Sequence, residues 1–124
     1  MEFVPHDVHL KIAGAGPDER LLKSLAVKDK RIEFLGFVDK DKIMDVYAGA
    51  LAIPFVPYDE DYGFITIEGM MSRKPVITAS DSGGPLEFVI DGVNGFIVEP
   101  DPVKIAERIN RELNKLSKRE EYSI

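Results

Sequence analysis

The stretch from Tyr58 to Gly84, YDEDYGFITIEGMMSRKPVITASDSGG, decides how the rest of the chain is read. Pro75-Val76-Ile77-Thr78-Ala79 reads as a buried strand. Before it, Phe64, Ile67, Met70 and Met71 fall near one helical face, which predicts a helix starting at Gly63 or its neighbours and ending by Lys74-Pro75. After it, Ser80 to Gly84 is a loop rich in glycine and serine. Asp59, Glu60 and Asp61 crowd the approach to the helix, and Glu68 lies further along it. The first amides of a helix have no intrahelical partner and attract anions. Carboxylates gathered at such a place suit a ligand that brings hydroxyl groups as well as phosphate.

The same rhythm of strand and helix runs outward in both directions. Val8 to Ala13 alternates apolar with polar or small residues and ends at Gly14. Pro17 to Lys28 reads as a helix with Leu21, Leu22, Leu25 and Ala26 on one face. Ile32 to Leu35 is a second strand closed by Gly36, and Asp39 is placed to cap a helix carrying Ile43, Val46, Tyr47 and Ala50 inward. Leu51 to Phe55 reads as a strand buried on both faces. Beyond Gly84, Pro85 to Ile90 is a turn or short helix, Asp91 to Gly95 a turn, and Phe96 to Val98 a last strand. Asp101-Pro102 is a cap followed by a proline at the first helical position. The closing helix places Ile105, Ile109, Leu113 and Leu116 on one face and Lys115, Lys118 and Arg119 near its end, where its dipole favours cations; the last residues should fray.

Strands alternating with helices predict an α/β fold: a mostly parallel, Rossmann-like sheet flanked by helices, in a single domain over residues 1–124. Ligands of such sheets bind beyond the carboxyl ends of the strands. Four loops should share that rim: Gly14-Ala15-Gly16, Gly36-Phe37-Val38, Pro57 to Gly63, and Ser80 to Gly84. The net charge of −6 argues against a nucleic-acid partner. The absence of cysteine excludes disulfides and thiolate metal sites and fits a reducing, cytoplasmic setting. No apolar run approaches the roughly 20 residues that span a bilayer. The opening MEFVPHDVHL does not read as a signal peptide.

Glu60 and Glu68 admit two readings from spacing alone. They are a pair that grips ligand hydroxyls on either side of free helix amides, or they are solvated charges near a helix start, where acids are common. Asp59-Glu60-Asp61 matches a D-x-D metal pattern, but directly before a helix it is read as non-metal. Gly14-Ala15-Gly16 has Glu19 where the dinucleotide fingerprint needs its third glycine, which argues against NAD. His6 and His9 are read as surface residues, and no metal site or cofactor is expected.

Glu60-Asp61-Tyr62-Gly63 through Glu68, followed by Gly69-Met70-Met71-Ser72-Arg73-Lys74-Pro75-Val76-Ile77, resembles the E-x7-E signature of retaining nucleotide-sugar glycosyltransferases. That group includes glycogen synthases, sucrose synthases and many mannosyltransferases, built as two Rossmann-like domains across a cleft. Ser82 to Glu87, Asp91 to Pro100, Gly14 to Pro17 and Phe34 to Val38 resemble further blocks of the group in the same order. Three positions depart from it: Tyr62 stands where Phe is usual, Gly69 where Ala is usual, and Arg73 where Gly is usual.

The resemblance implies a C-terminal donor-binding domain. Its substrate would be a nucleoside diphosphate sugar, with no cofactor and no required metal. Glu60 would be the catalytic residue, holding the sugar's hydroxyls and stabilising positive charge at the anomeric carbon. Gly63, Phe64, Ile65 and Thr66 would line the donor with their backbone, Glu68 would bind the ribose hydroxyls, Phe37 and Val38 would receive the base, and Gly16 would allow close approach. The group's acceptor domain and the strand–helix unit with an Arg–Lys pair for the diphosphate have no counterpart in these residues, and Arg73 and Lys74 lie too far along the helix to replace that pair. The chain is therefore expected to be inactive alone, to need an N-terminal acceptor domain or partner chain, and to expose strand edges that favour homo-oligomers. The intact enzyme would be cytoplasmic or peripheral at a membrane. A noncatalytic nucleotide-sugar-binding or partner-binding module is the alternative. A receiver-like signalling domain fits poorly, because its acidic cluster and phosphorylatable Asp are not supplied.

Overall fold

The computed structural model describes residues 1–5 and 7–122, with side chains as far as residue 115. In chain order the elements are β1 (Leu10–Ala13), α1 (Glu19–Ala26), β2 (Ile32–Gly36), α2 (Lys40–Ala48), β3 (Ile53–Pro54), α3 (Phe64–Met71), β4 (Val76–Ala79), a 3₁₀ turn (Gly84–Glu87), β5 (Gly95–Val98) and α4 (Pro102–Tyr122). Every strand pair is parallel, as alternation with helices requires. The pairing falls into two blocks, β1–β2 and β3–β4–β5. Neither β1 nor β3 has a partner on its other side among the described residues, so the sheet is broken between the blocks.

Strand β4 is the spine of the larger block. All of Val76–Ala79 is buried, as its reading as a buried strand implied, because β3 and β5 flank it and α3 covers it. Tyr47, Ile53, Val76 and Val89 form the core cluster, with Ile43, Phe55, Met70 and Ile97 packed against it. At the other end, Asp101 accepts the amide of Val103 at 2.8 Å and caps α4 before its first proline. Phe96 on β5 lies under Arg108 of α4, 4.2 Å from the ring centroid, a cation–π contact that ties helix to sheet. The expected Leu116, Lys118 and Arg119 side chains and the fraying of the terminal residues lie outside the described residues.

Three local readings are corrected, and one helix face read correctly is found uncovered. Strand β3 is two residues long and is not buried on both faces: Leu51 and Pro54 are exposed, and proline suits a strand with an open edge. Helix α1 is amphipathic, yet none of it is buried, and Leu25 is 74% exposed because nothing among the described residues covers that face. Asp39 precedes α2 in extended conformation but makes no side-chain cap bond. In α3 the buried residues are Thr66 and Gly69, while Phe64 and Met71 are exposed. A helix with apolar residues on most of its circumference gives no clear stripe to read, and its inward face is set by which residues are small enough to approach β3 and β4.

Gly69 shows this directly. A Cβ at that position would lie 2.8 Å from Val76 Cγ2 and 2.9 Å from Ile53 Cδ1. The glycine that weakens the helix is what lets it sit close on the sheet. The C-terminus of α3 holds the opposite case. Lys74 donates its amide to Gly69 O and Arg73 donates its amide to Met70 O, both at about 3.0–3.1 Å, the paired bonds of a Schellman cap. That cap needs a left-handed residue, and Arg73 takes it at φ 58 without glycine's freedom. Arg73→Gly should therefore raise stability by about 1 kcal/mol, read as a higher urea midpoint at unchanged slope. Gly69→Ala should lower it by about 1 kcal/mol despite alanine's better helix propensity; a more stable Gly69→Ala protein would contradict the packing described.

Candidate functional site

The loop between β3 and α3 is held by its main chain. Asp59 donates its amide to Asp81 O at 2.9 Å, Glu60 to Ser82 O at 2.7 Å, and Gly84 returns its amide to Glu60 O at 2.6 Å. Glu60 and Gly83 thereby form an isolated parallel bridge that extends the β3–β4 ladder past the ends of both strands. Ser82 is fully buried and turns the other side of the contact: its Oγ accepts from Thr78 Oγ1 at 2.7 Å and from the Ala79 amide at 3.0 Å. Asp59 itself is left-handed at φ 47, a conformation that Asp tolerates better than most residues.

Gly63 makes the turn into α3 in the left-handed region, φ 68 and ψ 53. A Cβ there would stand 2.7 Å from Pro85 Cγ, so the turn requires glycine on both conformational and packing grounds. No side chain caps the helix start. The Phe64 and Ile65 amides make no hydrogen bond among the described residues, whereas the Thr66 amide donates to Gly63 O at 2.9 Å. Of the amides expected to face a ligand, Thr66's is thus already engaged. The Thr66 side chain is fully buried, and its Oγ1 has no partner among the described residues. Tyr62 and Phe64 stack with centroids 5.7 Å apart on the exposed side of the turn.

Glu68 sits one turn into α3, half-buried. Its Oε2 accepts a 2.7 Å hydrogen bond from the Tyr47 hydroxyl, reaching across from the last turn of α2. Burial first, and then this bond, push the Tyr47 hydroxyl well above the usual tyrosine range, so it stays a donor. Glu60 is exposed on the loop and makes no side-chain bond to Glu68 or to any other described residue. The structure therefore sets Glu60, Gly63, Phe64, Ile65, Thr66 and Glu68 along one loop and helix, braced by Ser82 to Pro85.

The remaining candidates belong to the other block. Gly14 donates its amide to Gly36 O at 2.7 Å, which brings the carboxyl ends of β1 and β2 together. Gly16 lines a cavity of about 290 Å³ with Ile12, Ala13, Leu22 and Phe34. Phe37 is 82% exposed and Val38 partly buried, and neither lines that cavity. A second cavity of about 240 Å³ lies between the end of β5 and α4, lined by Glu99, Lys104, Glu107, Arg108 and Arg111, away from both acids of the candidate site. Asp59 and Asp61 are exposed, His9 is exposed, and His6 lies outside the described residues. Among the described residues no cluster of three His, Asp or Glu could hold a metal ion, and no helix is long and apolar enough to cross a membrane.

Two parts of this geometry escaped sequence reasoning. Tyr47 was expected only as an apolar contact, although a buried tyrosine needs a partner for its hydroxyl, and that need was the available signal. The bracing by Ser82, Gly83 and Gly84 had a weaker signal, a Ser-Gly-Gly run that any loop could contain.

Comparisons with known proteins agree on one family. The family model described as glycosyl transferases group 1 matches residues 4–123. The alpha-1,3/1,6-mannosyltransferase ALG2 of Mus musculus is 35% identical over 123 residues, covering 89% of this chain and 29% of the mouse protein. Among solved structures, HepE (Alr3699) of Anabaena, in complex with UDP-glucose, superposes with a TM-score of 0.80 at 27% identity, over 93% of this chain and 34% of that one. WaaG, a glycosyltransferase involved in lipopolysaccharide biosynthesis, has the same fold at a TM-score of 0.76 and 21% identity, over 90% of this chain and 32% of its own. The chain thus spans about a third or less of the length of these relatives.

The close approach at Gly84 is the most exposed to mutation. A Cβ there would meet the Asp61 carbonyl, and Glu60 O at 2.9 Å, both of them main-chain atoms that cannot rotate away. Gly84→Ala should cost about 2–3 kcal/mol, with the largest amide shifts in a ¹⁵N correlation spectrum falling at residues 59–63.

Proposed function

The chain belongs to the glycosyl transferases group 1 family, and from that membership we propose that it is the nucleotide-sugar-binding half of a retaining E-x7-E hexosyltransferase. The observation that carries this reading is the uncapped start of α3. Gly63 turns the chain so that the Phe64 and Ile65 amides stay unpaired, with Glu60 on the loop before the turn and Glu68 one turn into the helix after it. Free amides at a helix start bind phosphate or hydroxyl oxygens, and carboxylates accept from sugar hydroxyls, so the combination suits a glycosyl group joined to phosphate and ribose. HepE's complex with UDP-glucose gives the same ligand class in a relative of the same fold.

In this assignment Glu60 holds the sugar and stabilises the positive charge that grows at its anomeric carbon as the bond to the diphosphate breaks. Glu68 takes the ribose diol. Gly63, Phe64, Ile65 and Thr66 line the donor, Gly16 allows its approach, and Phe37 and Val38 receive the base. Charge on the departing diphosphate is met by the helix amides and by a basic pair outside these 124 residues, and the acceptor is held by a further domain or partner chain. That division accords with a chain spanning 29% of the mouse mannosyltransferase. The intact enzyme works in the cytoplasm or at a membrane surface.

Saturation-transfer NMR of the chain against UDP-, GDP- and ADP-sugars should show transfer to the nucleoside and sugar protons of at least one, with a dissociation constant weaker than micromolar. Silence across the panel at millimolar ligand would sink the reading. The open edges of β1 and β3 and the uncovered Leu21, Leu22 and Leu25 should also make the isolated chain self-associate. Light scattering should show a mass above that of one chain, falling to it in the double variant Leu21→Glu, Leu25→Glu.

A further inference from the structure

We propose that Tyr47 is the positioning residue of the Glu68 carboxylate: its hydroxyl holds Oε2 and leaves Oε1 aimed for the donor's ribose diol. The proposal rests on the assignment of Glu68 to that diol. Its own footing is the hydrogen bond across α2 and α3, at 2.7 Å.

Tyr47 is 6% exposed and packed among Ile53, Val76 and Val89, so its ring has no freedom to swing. The backbone beneath it is fixed as well, since Gly49 and Ala50 close the end of α2 with amide bonds to Asp45 and Tyr47 carbonyls. The hydroxyl is therefore a donor at a set point. A glutamate on a helix surface otherwise samples several rotamers and turns freely about its last bond. With Oε2 engaged, that rotation stops. Oε1 makes no hydrogen bond among the described residues, and its lone pairs remain for a ligand. Ordering the side chain before the ligand arrives removes part of the entropy loss from binding. A buried phenol also favours the protonated form, so the bond persists across the physiological range.

The alternative is a structural bond that merely satisfies a buried hydroxyl. The two differ in what they do to ligand discrimination. The experiment measures binding of UDP and of 2′-deoxy-UDP to the full chain by saturation-transfer titration, for the wild type, Tyr47→Phe, Glu68→Gln and the double variant. The wild type should prefer UDP over the deoxy compound by about tenfold, the scale of one hydrogen bond to a charged acceptor. In Tyr47→Phe the preference should fall below about threefold while affinity for the deoxy compound stays unchanged. On the Glu68→Gln background the same substitution should change nothing further. Equal weakening of both ligands, an intact preference, or an effect that persists without the carboxylate would each overturn the role of Tyr47. Loss of cooperative unfolding in Tyr47→Phe would overturn it too, because the hydroxyl would then be holding the fold. A wild type that binds both ligands alike, or neither, strikes instead at the assignment of Glu68, and takes this proposal with it.

Discussion

The main chain of Asp59 to Asp61 lies directly against that of Ser82 to Gly84, and the candidate site depends on that contact. Two loops that leave neighbouring parallel strands normally diverge. Here they meet again at the Glu60–Gly83 bridge, where Gly83 and Gly84 present no Cβ to the opposing main chain. Everything downstream inherits this geometry. The bridge fixes where Glu60 leaves the sheet, Gly63 then turns against Pro85, and α3 starts at a defined point with its first amides open. The hold on Glu60 is made by backbone atoms alone, and its carboxylate makes no bond among the described residues.

Much of the architecture was legible because strong local signals agreed with their surroundings. Val76 to Ala79 reads as a buried strand and is one; Asp101-Pro102 reads as a helix entry and is one. The parallel sheet follows from the alternation of elements. Misreadings cluster where the signal was hydrophobicity without periodicity. Leu51 to Phe55 is apolar throughout and Phe64 to Met71 is mostly so, and nothing in such a run says which side meets the core. Residue size settled it in α3, where Gly69 faces Val76 and Ile53.

The acids of the site show the same limit in another form. Their spacing left open whether Glu60 and Glu68 act together or are merely solvated. Coordinates add a partner for Glu68, supplied by a residue 21 positions earlier in the chain. A contact of that range leaves no pattern in a single sequence. The departures from the family wording were visible from the start, but their meaning was not. Gly69 is a packing requirement, and Arg73 is a residue working in a conformation better suited to glycine.

At the far side of β2, Arg31 spends its guanidinium on the head of the chain. It donates to the carbonyls of Met1, Val4 and Pro5 while Asp29 grips it from below at 2.9–3.0 Å. That partnership holds the Asp29 carboxyl down at about 2 from an ordinary 3.8. A depressed carboxylate favours the folded state in full above its ordinary value and gives up that contribution as pH falls through the lower one. The head of the chain is consequently moored through uncharged main-chain carbonyls, and only the Asp29 side of the clamp answers to acid.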